Sequence, residues 1–193
     1  MLKLTWTALR ILIVFTLLTG LLYPLAVTGL AQVAFPTQAN GSVVNVAGKP
    51  AGSSLIGQGF TADKYLWSRP SATAPFAYNA AASTGSNLGP SNPALADAVK
   101  ARVATLGKAD PTNLAPVPTD LVTTSGSGLD PAISSAAAAF QLHRIAGARH
   151  IPAADVEHAI TGCTQTPLLG IIGPAHVNVL CVNLALDGKR VQP

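Results

Sequence analysis

The chain has 193 residues, which is enough for one ordinary domain and too few for two large ones. Apolar residues make up 49% of it and charged residues only 10%; this excludes a disordered chain, because disorder needs many charges and few apolar residues. The net charge of +4 is not accompanied by a cluster of Lys or Arg, which argues against a nucleic-acid-binding protein.

The N-terminal region contains a long stretch without charge. No Asp, Glu, Lys or Arg lies between Ile11 and Gly48, and the first part of this stretch exceeds the ~20 apolar residues that a membrane-spanning helix needs. The pattern predicts a transmembrane helix over residues 11–34, after a short N-terminus of residues 1–10. A cleaved signal peptide is the alternative, but its apolar core usually has about 7–15 residues before a small-residue cleavage site, and the sequence has no clear site of that kind.

Charge also predicts the orientation of this helix. Lys3 and Arg10 precede the apolar stretch, and the next basic residue is Lys49. Because basic residues stay on the cytoplasmic side, we expect residues 1–10 in the cytoplasm and residues 35–193 in the periplasm. The helix itself is expected to lie in the lipid of a bacterial inner membrane.

Three residues of the helix predict how it packs. Gly20, Pro24 and Thr28 recur at intervals of four, so they share one face of an α-helix. Small residues on a membrane helix allow the close approach of a neighbour. We interpret this face as a packing surface against other membrane helices.

The remaining chain, residues 35–193, is predicted to form a small α+β extracytoplasmic domain. It begins with short strands over Val43–Val46 and Ser54–Ile56, which lie among turn signals. A loop follows from Ser68 to Pro93, longer than the ~12–15 residues that structureless loops usually reach. Because this loop carries large apolar side chains, we expect it to be ordered and to pack on a partner or on its own domain.

Three helices and a strand complete the predicted domain. The helices extend from Asn92 to Gly107, from Asp130 to Gly147 and from Pro152 to Gly162, with Asn92 and Asp130 as N-caps. The alternating stretch His176–Leu186 predicts a strand, and Leu121–Thr124 predicts a shorter one. We expect the helices to cover a small sheet.

The sequence carries no catalytic signature. It lacks both the phosphate-binding G-x-x-x-x-G-K-[ST] motif and the G-x-S-x-G nucleophile elbow. His143, His150 and His158 are separated by the helix breakers Gly147 and Pro152, so we interpret them as surface or capping residues rather than metal ligands. We therefore predict neither an enzyme active site nor a metal site.

Polar side chains are concentrated in the loop half of the domain, and two interpretations of them stay open. They stabilise backbone turns, or they bind a small polar ligand or a partner. The set predicted for partner contact comprises Arg69, Ser71, Tyr78, Asn79, Ser86, Asn87 and Asn92.

The two cysteines also allow two interpretations. In an oxidising compartment, Cys163 and Cys181 can form a disulfide that joins the end of the third helix to the last strand. Alternatively, they are two small buried apolar side chains.

Several segments resemble a known family. They are G-L-L-Y-P-L (20–25), R-P-S-A-T (69–73), Y-N-A-A-A-S-T-G-S-N-L-G-P-S-N-P (78–93), L-V-T-T-S-G-S-G-L-D-P-A-I-S (121–134), A-G-A-R (146–149) and V-N-V-L-C-V-N-L-A-L-D (177–187). In this order, and over nearly the whole chain, they resemble the C subunit of the bacterial Kdp potassium-transporting P-type ATPase.

The resemblance implies an accessory subunit rather than an enzyme. The implied complex contains a channel-like subunit that binds potassium and a P-type subunit that is phosphorylated. This chain lacks the D-K-T-G phosphorylation motif, since Asp63 and Lys64 are followed by Tyr65. The family is also described as a catalytic chaperone that raises the ATP affinity of the P-type subunit in a transient ternary complex, so ATP enters by resemblance only.

Two functions therefore stand as hypotheses. In the first, the chain supports the assembly and stability of the two larger subunits, with its domain over the potassium entrance and the 68–93 loop at the contact. In the alternative, the chain is a membrane-anchored periplasmic module whose Arg69, Asn87 and Asn92 bind a small ligand.

Overall fold

The structure is a computed structural model that describes residues 1–167 and 170–189. The chain divides into two compact units, Met1–Val43 and Val44–Pro193. The first unit is almost entirely helical, and the second combines helices with two small sheets.

The first unit is one continuous apolar helix. It comprises α1 (Leu2–Leu17), a π-helical turn (Leu18–Leu22) and α2 (Tyr23–Ala34), followed by the short helix α3 (Pro36–Ala39). The helix of 33 residues has a mean hydropathy of 2.2 in its most apolar window, which is long and apolar enough to cross a membrane. The predicted N-terminal helix is confirmed, and it begins at Leu2, so the residues expected before it are helical as well.

Pro24 explains the π-helical turn. A proline has no N–H to donate to the carbonyl four residues earlier, and its ring clashes with that carbonyl. In this helix that carbonyl belongs to Gly20, and the chain widens so that the Tyr23 N–H donates to Leu18 O, five residues earlier. The π turn thus contains Gly20, the first residue of the predicted packing face, and ends two residues before Pro24. The packing face itself stays a prediction.

The second unit begins with a β-hairpin. β1 (Val43–Val46) is confirmed, and β2 (Lys49–Ser53) pairs with it across the turn residues Ala47 and Gly48. Both turn residues have positive φ, 50° and 75°, as a two-residue hairpin turn requires. The strand predicted over Ser54–Ile56 is wrong, because the chain turns there and the Leu55 N–H donates to Ser53 Oγ at 3.1 Å.

The larger sheet has three antiparallel strands. Its central strand, β5 (His176–Asn178), lies between β3 (Ala132–Ser134) and β4 (Thr164–Gln165), with Val177 opposite both Ile133 and Thr164. Helices α4 (Pro93–Ala109), α5 (Ser135–Arg149), α6 (Ala153–Gly162) and α7 (Val179–Leu186) complete the unit. The core includes Leu66, Ile133, Ile145, Val156, Val177 and Val182.

The predictions for the first and third helices of the domain are confirmed. Asn92 caps α4, where its Oδ1 accepts the Ala94 N–H at 3.0 Å, and α6 follows Pro152. The second predicted helix begins later than expected. Asp130 accepts the Ala132 N–H and thereby opens β3, and Ser134 is the N-cap of α5 instead.

Asp120 explains why the helix begins at Ser134. Its two carboxylate oxygens accept the Ser134 N–H at 2.7 Å and the Ser134 hydroxyl at 3.1 Å. The hydroxyl oxygen of Ser134 accepts the Ala137 N–H at 3.0 Å, which caps the helix. Asp120 lies in a 3-10 turn (Thr119–Leu121), so the strand predicted over Leu121–Thr124 is wrong.

The predicted strand His176–Leu186 is mostly wrong. Only β5 is extended, because Asn178 Oδ1 accepts the Cys181 N–H at 3.0 Å and starts α7. Five of the eight α7 residues are buried, so the helix has no polar stripe that would reveal a helical period. The α+β class is confirmed, with more helix and less sheet than expected.

Candidate functional site

The segment before the long loop is held by side-chain amides in place of a neighbouring strand. Leu66 is fully buried; its N–H donates to Asn183 Oδ1 at 2.8 Å, and its carbonyl accepts from Asn183 Nδ2 at 3.0 Å. Gln141 binds both backbone groups of Trp67 in the same way, at 2.8 and 3.2 Å. We call the hydrogen bonds of Asn183 and Gln141 to Leu66 and Trp67 the amide clamp. The backbone polar groups of Leu66 and Trp67 are therefore satisfied inside the core.

Arg144 reinforces this clamp from α5. Its guanidinium lies 4.1 Å from the centre of the Trp67 ring, a cation–π contact. It donates to Gln141 Oε1 at 2.6 Å and to the carbonyl of Asp63. Burial lowers the pKa of Arg144 to about 10, which leaves the side chain cationic at neutral pH.

Arg149 fixes the beginning of the same segment. It donates to the carbonyls of Lys64 at 2.6 Å and Leu186 at 2.8 Å, and to Asp187 Oδ1 at 2.9 Å. The hydroxyl of Tyr65 donates to the other oxygen of Asp187 at 3.1 Å. Burial raises the pKa of Asp187, but the hydrogen bonds from Arg149 and Tyr65 and the nearby positive charges outweigh burial, so the pKa lies below its ordinary value.

Sequence reasoning missed the roles of Gln141, Arg144, Asn183 and Asp187. Two of them lie in quoted motifs, since Asn183 and Asp187 belong to the segment 177–187. The polar amide of Asn183 within an apolar run is the signal from which a buried hydrogen-bonding role could have been predicted.

Ser71 and Thr73 organise the first half of the long loop. Ser71 Oγ donates to Gly128 O at 2.7 Å and accepts the Tyr78 N–H at 3.0 Å. Thr73 Oγ1 donates to the carbonyl of Phe76 at 2.8 Å and accepts the Asn79 N–H at 3.0 Å. These hydroxyls fold the loop back on itself and join it to the segment that contains Gly128.

Tyr78 lies under the loop rather than on its surface. Its φ is +60°, and its hydroxyl donates to the carbonyl of Arg69. The ring packs on Gly57, where an added Cβ would lie 2.5 Å from Tyr78 Cε1 and 2.5 Å from Asp130 O. Burial raises the pKa of the Tyr78 phenol, so it stays protonated as a donor.

Arg69 lines a cavity of about 630 Å³. Its guanidinium forms a 3.1 Å ion pair with Asp130 and donates to Thr124 O at 3.4 Å. Asp120 and His176 also line this cavity. Arg69 is paired with Asp130, Asp120 accepts two hydrogen bonds from Ser134, and His176 Nε2 lies 3.1 Å from Gln165 Oε1. The cavity therefore has walls of mixed polarity whose charged groups already have partners.

The other predicted loop residues do not converge on this cavity. Asn79 Oδ1 accepts the Ala81 N–H at 3.1 Å and caps the 3-10 turn Ala80–Ala82. Asn87 is exposed with a φ of +53°, Ser86 is half-buried, and Asn92 caps α4. Asn87 and Asn92 thus do not line the cavity that Arg69 lines, and Asn79 and Asn92 stabilise backbone turns.

The long loop packs on its own unit, which was one of the two arrangements expected from the sequence. The Thr84 N–H donates to Ser127 O at 3.0 Å, and the Ser83 hydroxyl donates to the same carbonyl at 3.0 Å. Gly128 lies beneath the loop, where an added Cβ would be 2.6 Å from Thr73 Cγ2 and 2.7 Å from Thr84 O. The loop is therefore an ordered part of the fold.

Cys163 and Cys181 are joined by a disulfide, with their Cα atoms 5.8 Å apart. The bond links the residue after α6 to α7 rather than to a strand. The described residues contain no group of three His, Cys, Asp or Glu that could hold a metal ion. His143, His150 and His158 are exposed, and His150 ends α5 in the left-handed conformation.

A long apolar N-terminal helix followed by a small α+β unit defines the class of this protein. The family model of KdpC, described as the c chain of the K+-transporting ATPase, matches residues 5–188. The chain belongs to this family.

Relatives at high identity agree with the family match. The chain is 57% identical over 183 residues to a potassium-transporting ATPase KdpC subunit from Ralstonia nicotianae, with 95% of this chain and 90% of that protein covered. It is 59% identical to the protein of the same name from Polaromonas naphthalenivorans, with 95% and 93% covered.

Proposed function

We propose that this chain is the non-catalytic accessory subunit of an ATP-driven potassium uptake complex. In this proposal it supports the assembly and stability of a channel-like potassium-binding subunit and a P-type ATPase subunit. The observation that carries the proposal is the family match over residues 5–188, together with an apolar helix of which no side chain is buried against the described residues. A helix with so much exposed apolar surface needs lipid or other helices around it.

The proposed location is the bacterial inner membrane, with a single span. Lys3 and Arg10 keep the N-terminus in the cytoplasm by the positive-inside rule, so the α+β unit lies in the periplasm. The disulfide between Cys163 and Cys181 supports this side of the membrane, since disulfides persist in oxidising compartments.

The proposed mechanism is mechanical. The helix packs against its partners through Gly20, Pro24 and Thr28, and nothing described lies within 4 Å of a Cβ built at Gly20, which leaves room for a close neighbour. The α+β unit covers the potassium entrance of the channel-like subunit, with the loop of residues 68–93 at the contact.

ATP binding by the α+β unit does not fit this proposal. The periplasmic side of a membrane is separated from cytoplasmic ATP, so the chaperone description of the family would require another topology. The Gly/Ser-rich segment Ser83–Leu88 also uses part of its backbone internally, since the Thr84 N–H donates to Ser127 O at 3.0 Å. Backbone N–H groups that bind phosphate must be available to the ligand.

Labelling from outside the cell tests the topology. Leu114 is 93% exposed, so a Leu114→Cys variant presents a thiol on the surface of the α+β unit. We expect a membrane-impermeant maleimide to label it in whole cells. Labelling in lysates but not in whole cells would overturn the topology and favour the nucleotide-helper function.

Co-purification tests the assembly role. A tagged chain should bring large multi-span partners with it, whereas a ligand-binding module should purify alone. Replacing Gly20 and Pro24 by Leu should reduce the recovered partners, and Gly29→Leu is the matched control because the space around Gly29 is equally open. Unchanged recovery with the first pair would remove the packing-face claim.

A further inference from the structure

The tip of the long loop presents a large apolar side chain to solvent. Phe76 is 62% exposed, and the flanking residues Ala74, Pro75 and Ala77 are exposed as well. The Ala74–Pro75 peptide bond is cis. An exposed phenylalanine on a loop that otherwise folds inward has no structural role within the chain that these contacts reveal.

Side-chain hydrogen bonds fix the backbone that carries Phe76. Thr73 Oγ1 donates to the Phe76 carbonyl at 2.8 Å, and Asn79 Nδ2 donates to the Ala74 carbonyl at 2.8 Å. Thr73 is only 8% exposed, and Tyr78 holds the far side through its N–H to Ser71. The ring thus projects from a backbone that is ordered before any partner arrives, and such preorganisation lowers the entropic cost of binding.

The chain on both sides of Phe76 carries no charge. No Asp, Glu, Lys or Arg occurs from Pro70 to Ala96, and Arg69, just before this stretch, is paired with Asp130. Depletion of charge around an aromatic residue is typical of the core of a protein–protein interface. Aromatic anchors of this kind carry a large share of the binding energy of an interface.

We propose that Phe76 is the anchor residue through which the α+β unit docks into an apolar pocket on the outer surface of a multi-span partner subunit. The inference rests on the proposed function and adds the residue that makes the contact. A protein pocket is favoured over a lipid surface because lipid-binding segments combine a broad apolar face with basic residues, and the tip has one aromatic ring and no cation.

Co-expression of the full chain with its partner subunits tests the anchor. Phe76→Ala should lower the amount of partner that co-purifies with the tagged chain by about thirty-fold, as expected for a hot-spot residue. The matched control is Leu114→Ala, which removes a still more exposed apolar side chain, 93% exposed, from a different loop. Phe76→Leu should restore part of the recovery, because an apolar side chain still fills the pocket.

The outcomes separate the inference from the proposed function. Equal recovery for Phe76→Ala and Leu114→Ala, with wild-type recovery intact, overturns the anchor and leaves the accessory role standing. If the wild-type chain itself recovers no multi-span partner, both fail. Thermal unfolding should give the same midpoint for Phe76→Ala and wild type, since the ring is exposed; a lowered midpoint would mean that the ring stabilises the loop instead.

A lipid contact gives a different result. Brominated lipids quench the fluorescence of tryptophans that contact them. In a full chain that carries Phe76→Trp, the added tryptophan should not be quenched, so the loss of tryptophan fluorescence should be no greater than in the parent chain. Additional quenching would show that the tip enters the bilayer, and it would overturn the protein-pocket proposal.

Discussion

Replacement of Asn183 by Ala should destabilise the α+β unit more than any change at an exposed amide. Asn183 is 2% exposed, and it satisfies both backbone groups of the fully buried Leu66. A buried backbone group left without a partner costs about 1–3 kcal/mol, so the loss of both partners amounts to about 4 kcal/mol. Domains are stable by only about 5–15 kcal/mol, so the variant would lose between about a quarter and most of its stability.

Urea unfolding of the full chain in detergent measures this effect. The chain has two tryptophans, so a Trp6→Phe background leaves Trp67 as the single tryptophan, and its own backbone is held by Gln141. With a urea dependence of about 2 kcal/mol/M, the midpoint should fall by about 2 M.

Asn113 provides the matched control. Its side chain also makes two backbone hydrogen bonds, to Phe140 O at 2.7 Å and from the Ala115 N–H at 3.1 Å, but it is only half-buried. Water replaces those partners when the side chain is removed, so Asn113→Ala should cost about 1 kcal/mol. Equal midpoint shifts for Asn183→Ala and Asn113→Ala would refute the argument that burial of the two backbone groups decides the cost.

Three further changes test other parts of the fold. Gly57→Ala should cost about 3 kcal/mol in urea unfolding, because its Cβ would overlap the Tyr78 ring. Replacement of both Cys163 and Cys181 by Ala should lower the free energy of unfolding by ~3 kcal/mol for a separation of 18 residues. The pKa of Asp187 is lowered in the folded state, so its stabilising contribution is present above the unfolded pKa of about 3.9 and is lost as the pH falls through the folded pKa. Asp187→Asn should therefore reduce stability by more at pH 6 than at pH 3.

Each of these changes has a control. Gly89→Ala adds a methyl group where nothing lies within 4 Å and should be neutral. Asp97→Asn removes a carboxylate whose side chain is 75% exposed, and it should not alter stability at either pH. Reduction of the wild-type disulfide should match the double cysteine variant. A Gly57→Ala chain as stable as wild type would mean that both the Tyr78 ring and the backbone at Asp130 can move away. A pH-independent difference at Asp187 would show that its charge is not what stabilises the fold.

Local signals in the sequence were sufficient where one short-range interaction decides the structure. Asn92 before Pro93 is a cap whose partner lies two residues away, and α4 begins there. The apolar stretch without charge became one helix because its backbone satisfies itself. The disulfide also links the two cysteines of the chain, although one of them lies in a helix that was expected to be a strand.

Prediction from the sequence failed where a residue distant along the chain determines the local structure. Asp130 looks like a helix cap, but Asp120 binds Ser134 and moves the start of the helix four residues along the chain. The stretch after Asn178 alternates like a strand, yet the Asn178 cap starts a helix there, and burial of most of its residues hides the helical period in the sequence. The polar loop residues were identified by composition alone. Their inward orientation depends on long-range contacts, such as that of Ser71 with Gly128, and sequence spacing does not reveal such contacts.

The amide clamp on Leu66 and Trp67 has a consequence for how the unit responds to force. Asn183 belongs to α7 and Gln141 to α5, so tension applied to the start of the long loop passes directly into two core helices. The other end of the loop is the N-terminus of α4. A force that a partner applies to the tip therefore acts on the core of the unit and does not detach the loop alone. The loop and the core should unfold together under force.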